Sequence, residues 1–406
     1  MSAVRVPDVL LRISPKNLER FQSLAVAGAG RGRAAPLPYT FTRADASTCA
    51  TYWDSAGIVR LASANNLRVD DYGPYYEQGL VDSAGLPLHG IRLEGTRTNV
   101  VLWNRDLTNA AWVKTNITAA KDQTGIDGVA SSASKITASA GNGTCLQSIT
   151  LGSSLRRQTA FVKRITGTGV IEMTTDNGGT WTAITVTSTT AWARRSIPAQ
   201  TLANPTVGFR IVTSGDAIAV DFAQNETGAF ESNPIATTTA AVTRAADSLT
   251  VPFNFGPMDA TVLVRLARPI HADAAGSIII FPGLFDLGNN VTTYWRGYYV
   301  DSTRTVTGNI VSGTSPSVSQ SLPAGATQIY TYQFKDMGTS PRMALDVGAG
   351  YGGFSGAASM PMPVFGSQTL RLGNILGAST SQLYGCLTDF QVQRGLFTYA
   401  EAIAVP

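Results

Sequence analysis

The sequence predicts an all-β chain built from β-sandwich modules, and three observations carry that prediction. Apolar residues recur with a period of two in one run after another. Gly, Asn, Asp and Pro punctuate those runs at intervals of about ten residues, as in sandwiches. Helical periodicity is almost absent. The cleanest case is Val207, Phe209 and Ile211 on one face, with Gly208, Arg210 and Val212 on the other. After the turn Ser214-Gly215-Asp216, residues Ile218, Val220 and Phe222 resume the same alternation, which reads as a hairpin with one face in a core.

Composition narrows the functional classes. The chain has 406 residues, 44% of them hydrophobic, enough to bury real cores. Only 14% are charged, against roughly a quarter in ordinary soluble domains. The resulting polar but uncharged surface suits particle-bound β proteins and hydrogen bonding to neutral sugars. The net charge of +4 comes without a Lys/Arg-rich run, and Arg156-Arg157 and Arg194-Arg195 are isolated doublets, so no nucleic-acid partner is expected. No stretch approaches the roughly 18 apolar residues of a membrane span, so no membrane insertion is expected. The N-terminus has no basic start followed by an apolar core, so no export signal is expected either. Cys49, Cys145 and Cys386 are odd in number, far apart and free of metal-ligand spacing. All three read as reduced, buried small residues, with no support for a Cys49–Cys145 bridge.

In chain order, residues 1–38 stand apart. Ser14 and Pro15 form a helix-start signal for a short helix over Pro15–Leu24, followed by a Gly/Ala-rich stretch to Pro36. This segment is either a flexible leader or an extended arm that orders against a partner subunit. Residues 39–103 read as a small β-rich collar of short strands, among them Ala50–Trp53, Gly57–Leu61 and Gly90–Leu93. Residues 104–250 form the first sandwich, which contains the turn Asp176-Asn-Gly-Gly179 followed by Trp181, Ile184 and Val186. Residues 251–406 form a second sandwich with alternating runs at Val262–Leu266, Tyr330–Phe334, Leu370–Leu372 and Phe390–Val392. A helical turn is expected at Thr398–Ile403.

One phrase occurs twice. Phe41-Thr-Arg43-Ala-Asp45 returns about two hundred residues later as Val242-Thr-Arg244-Ala-Ala-Asp247. Between the copies come Ile91-Arg-Leu-Glu-Gly-Thr-Arg97-Thr-Asn99, then Leu102-Trp-Asn and Asn109-Ala-Ala-Trp112, and finally Gln224-Asn-Glu226-Thr-Gly228-Ala-Phe230. In this order, over residues 40–250, the phrases resemble those of tailed-phage and prophage virion appendage proteins, in which they bracket a jelly roll of carbohydrate-binding type. The part that follows resembles a concanavalin-like or laminin-G-like domain, through Leu370-Arg-Leu-Gly373 and Gly385-Cys-Leu-Thr-Asp-Phe-Gln-Val392.

The resemblance implies a structural role for Arg43, Arg97, Asn99, Gln224, Glu226, Gly228, Phe230 and Arg244. It also implies a virion protein, assembled in the host cytoplasm as a homotrimer. Such a protein would be a tail fibre, tail-tip or capsid-decorating component, fastened to other virion proteins by its N-terminal region and facing host-surface glycans.

Catalysis is not expected. His89 and His271 sit in no metal or nucleophile motif, and Gly348–Gly353 lacks the lysine and context of a phosphate loop. Adjacent strand residues point to opposite faces, so Asp70-Asp71 make a poor acid/base pair. Glu226 belongs to the phrase that closes the module. Sugar contact in sandwiches uses exposed aromatic faces beside amides and carboxylates. The candidates of that composition are Asp176, Asn177 and Trp181, and Trp295, Tyr298 and Tyr299 after Asn289-Asn290. For each tryptophan, core or interface packing is the competing reading. No cofactor is expected; Asp286, Asn289 and Asn290 have the donors for Ca²⁺ but no diagnostic spacing. Three other readings stay open: a glycan-degrading tail enzyme, a capsid cement protein that binds no glycan, and a secreted bacterial lectin.

Overall fold

The computed structural model describes residues 8–13, 39–45, 49–54, 56–70, 90–228, 231–252, 260–269, 283–290, 293–300, 305–312, 317–321, 329–335, 342–346, 369–372, 385–394 and 396. Among these the chain is all-β, without a helix. The helices expected at Pro15–Leu24 and Thr398–Ile403 lie outside the described residues, as do Asp71, His89, Phe230, His271 and Gly348–Gly353.

The first strands are β1 (Asp8–Ile13), β2 (Thr40–Thr42), β3 (Ala50–Trp53), β4 (Val59–Ala62), β5 (Val69–Asp70), β6 (Gly90–Leu93) and β7 (Arg97–Asn99). The first sandwich follows with β8 (Val113–Thr115), β9 (Ile117–Gln123), β10 (Ala133–Ala138), β11 (Gly143–Ser148) and β12 (Ser154–Thr166). It is completed by β13 (Ile171–Thr174), β14 (Thr182–Ile184), β15 (Ala193–Leu202), β16 (Thr206–Ile211) and β17 (Ala217–Thr227). These ten strands form two five-stranded sheets, β15-β12-β17-β10-β9 and β14-β13-β16-β11-β8. The two sheets close on one core that includes Trp112, Ile136, Val162, Met173, Phe209, Ile218 and Val220. Each such side chain, moved from water to this core, contributes about 1.5–3 kcal/mol.

Two local features of this sandwich follow from backbone geometry. Asn177 and Gly178 both have positive φ (61° and 78°), and the Gly179 N–H donates to the Asp176 carbonyl at 3.2 Å. That is a type I′ turn, whose twist suits the β13–β14 hairpin and which Asn-Gly supplies at least cost. Gly208 in β16 sits at φ +155°, and a Cβ there would lie 2.1 Å from the Cys145 carbonyl oxygen. Gly208→Ala is therefore expected to cost about 1–3 kcal/mol through strain and overpacking, read as a lower urea midpoint.

Phe222 does not share a face with Ile218 and Val220, as strict alternation predicts. The β12–β17 pairing steps from Thr159↔Gln224 to Phe161↔Asp221, so two residues of β12 span three of β17. Phe222 takes φ +44° in this bulge. A bulge reverses the alternation beyond it. Ala223 takes the place in the sandwich core, and Phe222 turns to the outer side beside Phe161.

The remaining strands are β18 (Val242–Arg244), β19 (Ser248–Pro252), β20 (Ala260–Pro269), β21 (Gly283–Asn290), β22 (Thr293–Val300) and β23 (Thr305–Ser312). After them come β24 (Ser317–Ser321), β25 (Ile329–Lys335), β26 (Arg342–Asp346), β27 (Thr369–Leu372) and β28 (Gly385–Arg394). One seven-stranded sheet runs β2-β19-β27-β21-β22-β23-β24; the other runs β26-β25-β20-β28-β6-β5, with β1 also on β28.

Within residues 39–103, β3 and β4 pair with each other, while the other strands enter sheets with strands outside the segment. Strand β2 joins β19, β5 and β6 extend the sheet of β28, and β7 pairs with β18. The boundary read at 250/251 falls within β19, which pairs with β27. Strand β1, within the expected arm, lies along Phe390–Arg394 of its own chain, next to the Gly385–Leu387 stretch taken by β6.

Candidate functional site

The repeated phrase builds a buried ionic junction. The Arg43 guanidinium pairs with Asp45 and, at 3.4 Å, with Asp247. Arg68 pairs with Asp247 and with Glu94 at 2.8 Å, and Arg244 reaches Glu94 at 3.0 Å. Arg92 pairs with Asp70, whose other oxygen accepts the Trp53 N–H at 2.9 Å. The backbone closes the network: Glu94 N–H donates to Asp247, Asn233 N–H to Glu94, and Ala245 N–H to Asp45. Four guanidinium groups therefore meet four carboxylates with no excess charge, and buried charges are tolerated only when paired in this way. Burial alone would raise the Glu94 pKa, but Arg244, Arg68 and Arg92 outweigh it and hold the carboxyl well below its usual range.

The phrase at 224–230 forms a second structural knot. Glu226 accepts hydrogen bonds from the Ser232 N–H and hydroxyl, both at 2.7 Å, and from Gln224 Nε2 at 2.9 Å. Gln224 Oε1 accepts the Ile235 N–H at 2.8 Å. Asn99 bridges the chain from β7 to this crossover, donating to the Ile235 carbonyl and accepting from Val101 and Asn225 N–H groups. Arg97 donates to the Thr227 carbonyl and lies against Gly228, whose φ of +126° favours glycine and where a Cβ would sit 2.8 Å from the guanidinium. Glu226 is fully buried here, with its oxygens committed to the crossover.

The two faces of the first sandwich differ in what covers them. On the β15-β12-β17-β10-β9 sheet, the outward Phe161 and Phe222 pack with Trp53 and Val59 of the β3–β4 hairpin and with Ile126. Trp53 and Phe161 meet with ring centroids 5.7 Å apart. Arg105 caps the Phe222 ring at 4.3 Å and pairs with Asp221 at 2.7 Å and Asp127 at 2.7 Å. Burial raises the Asp221 pKa, and Arg105 offsets this only in part.

Among the described residues, the outer face of β14-β13-β16-β11-β8 is left open instead, with Ala183, Thr115 and Val113 exposed. Its central row, in register, is Ala183, Glu172, Arg210, Thr144 and Thr115. The next row runs Thr174, Gly208, Leu146 and Val113, and Val113 is 64% exposed. Trp181, just before β14, lies on this face with the Arg210 guanidinium 4.5 Å over its ring. Arg210 also pairs with Glu172. Trp181 is half-buried, with one ring edge against Gly178 of the type I′ turn.

Of the sequence candidates, Asp176 and Asn177 build that turn. Asp176 accepts from the Thr174 hydroxyl and the Thr180 N–H, both at 2.8 Å, while Asn177 is exposed. The structure thus places Trp181, Asp176 and Asn177 together. Trp295, Tyr298 and Tyr299 lie in β22 of a different sheet, and their side chains are outside the described part. The same holds for Asp286, Asn289 and Asn290 in β21. Glu172 and Arg210 were missed in the sequence because their link crosses two strands 38 residues apart. The signal available was their placement as outward residues of alternating runs.

Two other features are internally satisfied. A cleft of about 330 Å³ is lined by Arg164, Gly169, Ile171, Val186 and neighbours. Its guanidinium already donates to the Val186 and Gly169 carbonyls at 2.8 Å and pairs with Asp216 at 3.4 Å. Cys49 and Cys145 are buried thiols; Cys49 Sγ donates to the Thr243 carbonyl at 3.7 Å, and burial pushes Cys145 up to about 12, Lys114 opposing weakly.

No family model matches this chain, and no curated protein matches it. Among solved structures the chain is similar to domains LG4-5 of the mouse laminin alpha1 chain, at 8% identity and a TM-score of 0.22 over 62% of this chain and 86% of that one. A likeness at that score carries no argument about function.

Proposed function

We propose that this chain is a non-enzymatic structural protein of a tailed-phage virion, a tail fibre, tail-tip or capsid-decorating component that presents its first sandwich to host-surface glycans. The observation that carries the adhesive part is the asymmetry of that sandwich. One sheet face is occupied by the β3–β4 hairpin, whereas the other is open and bears Trp181 beside the Arg210–Glu172 pair. An aromatic ring flanked by polar side chains on a rigid sheet is the composition sugar sites use. The virion part rests on the ordered phrases over residues 40–250. Their matching residues form the junction and the crossover, which gives them a folding role and explains why they occur together. The N-terminal region would fasten the protein to other virion proteins, with three copies per appendage.

Glycan-array binding by the purified chain tests the adhesive reading. Trp181→Ala is expected to weaken binding by at least about tenfold, close to 1.4 kcal/mol, and to leave the unfolding midpoint nearly unchanged because the ring belongs to neither core cluster. Release of reducing ends from host polysaccharide would favour a degrading enzyme; particle binding with a blank array would favour a cement protein. For attachment, residues 14–38 should be replaced by a Gly/Ser linker so that β1 keeps its place on β28. Loss of incorporation into particles is expected; normal incorporation would reject this segment as the fastening element.

A further inference from the structure

We infer that the Trp181 face selects a neutral pyranose, with the Arg210–Glu172 pair holding two neighbouring hydroxyls. The inference rests on the glycan-binding reading above and specifies its ligand class. Arg210 uses Nε for Glu172 and lays its guanidinium on Trp181, and Glu172 answers with one carboxylate oxygen. Among the described residues the two terminal nitrogens of Arg210 and the second oxygen of Glu172 have no hydrogen-bond partner. Forked donors therefore stand next to a free acceptor, at the spacing of one cross-strand pair. Two vicinal hydroxyls, each able to donate and accept, match that arrangement.

Charge decides between neutral and acidic sugars. Glu172 cancels Arg210, and Asp176, in the turn against which Trp181 packs, adds a negative charge. A carboxylated sugar would meet an arginine already neutralised by Glu172 and a further carboxylate in Asp176, so the site disfavours it. Apolar footing for the C–H face of a ring is present too. Trp181 stands at one end, and Leu146 and the exposed Val113 continue the row beside Gly208.

The test uses the full chain with a neutral glucan, a neutral galactan, polygalacturonate, and polygalacturonate whose carboxyls have been reduced to alcohols. Binding is expected to a neutral polymer and not to polygalacturonate, with affinity gained on carboxyl reduction and little changed by added salt. Glu172→Gln, Arg210→Gln and Trp181→Ala should each weaken neutral binding about tenfold or more at an unchanged unfolding midpoint. If Arg210→Gln lowers the midpoint, Arg210→Lys, which keeps the charge but not the fork, should weaken binding in its place. Preference for polygalacturonate would overturn the inference and leave the glycan reading standing. So would neutral binding that ignores all these substitutions. A blank array across neutral and acidic glycans would reject the parent reading, and this one with it.

Discussion

Glu94→Gln is expected to destabilise the protein by about 3–5 kcal/mol, the usual consequence of removing one partner from a buried ion pair. Glu94 is the acceptor shared by Arg68 and Arg244, and its other oxygen takes the Asn233 N–H. A neutral amide in its place keeps the shape but leaves two guanidinium groups facing one fewer carboxylate, with Asp247 the main anion left. The readout is the chemical-denaturation midpoint at neutral pH.

The pH dependence of that loss has a definite sign. The folded-state pKa of Glu94 lies below its ordinary value of 4.5, because the surrounding arginines outweigh the effect of burial. Its contribution is therefore fully present above the unfolded pKa and is lost as pH falls through the folded one. The gap between wild type and Glu94→Gln should be constant from about pH 8 to pH 5 and should narrow at more acidic pH. An unchanged midpoint in the variant, or a gap that widens in acid, would show that the junction does not clamp these segments.

Trp53→Ala is the second large effect, about 3–5 kcal/mol for deleting a buried aromatic side chain. Trp53 is 0% exposed and fills the space between the β3–β4 hairpin and Phe161, Phe222 and Ile126 on the covered sheet. Val59 is the other hairpin side chain in this cluster, so the hairpin itself has little to fill the cavity with. Amide exchange should accelerate most in β3 and β4, and also around Phe161, while β8 and β11 on the open sheet keep their protection. Equal loss of protection throughout the sandwich would mean that the hairpin is not a separate layer. The contrast with Trp181→Ala is informative because both residues are tryptophans on outer faces of the same sandwich. One is fully buried and structural; the other is half-buried outside the core clusters, and its loss should cost binding.

How much was legible in the sequence depends on the range of the interaction. The alternation of Val207, Phe209 and Ile211 is local, and these three residues do enter the core. The Asn177-Gly178 turn is likewise local, because positive φ at two successive positions selects those residue types. Phe222 was misplaced because a bulge depends on how β17 meets β12, which no single strand records. That Cys49 and Cys145 stay buried thiols agrees with their lack of paired spacing.

For the candidate site, Trp181 and its turn were visible as a short cluster. The Glu172–Arg210 pair was not, since cross-strand neighbours are set by register and not by sequence distance. The repeated Thr-Arg phrase was visible as a repetition, yet its meaning was not: Arg43 and Asp247 are 204 residues apart and meet only in the folded junction.

What the sequence by itself determined is the all-β class, the polar uncharged surface and the turn that carries Trp181, because period-two patterning and turn chemistry act over a few residues. Only the tertiary structure decided that β2, β5, β6 and β7 enter sheets with strands outside residues 39–103, and that one face of the first sandwich is covered by the β3–β4 hairpin while the other is left open. The physical reason is that hydrogen-bond pairing and burial of an outer face depend on which distant strand arrives beside it. That choice is made by the whole chain's packing and by charges that can be buried only once their partners have come together.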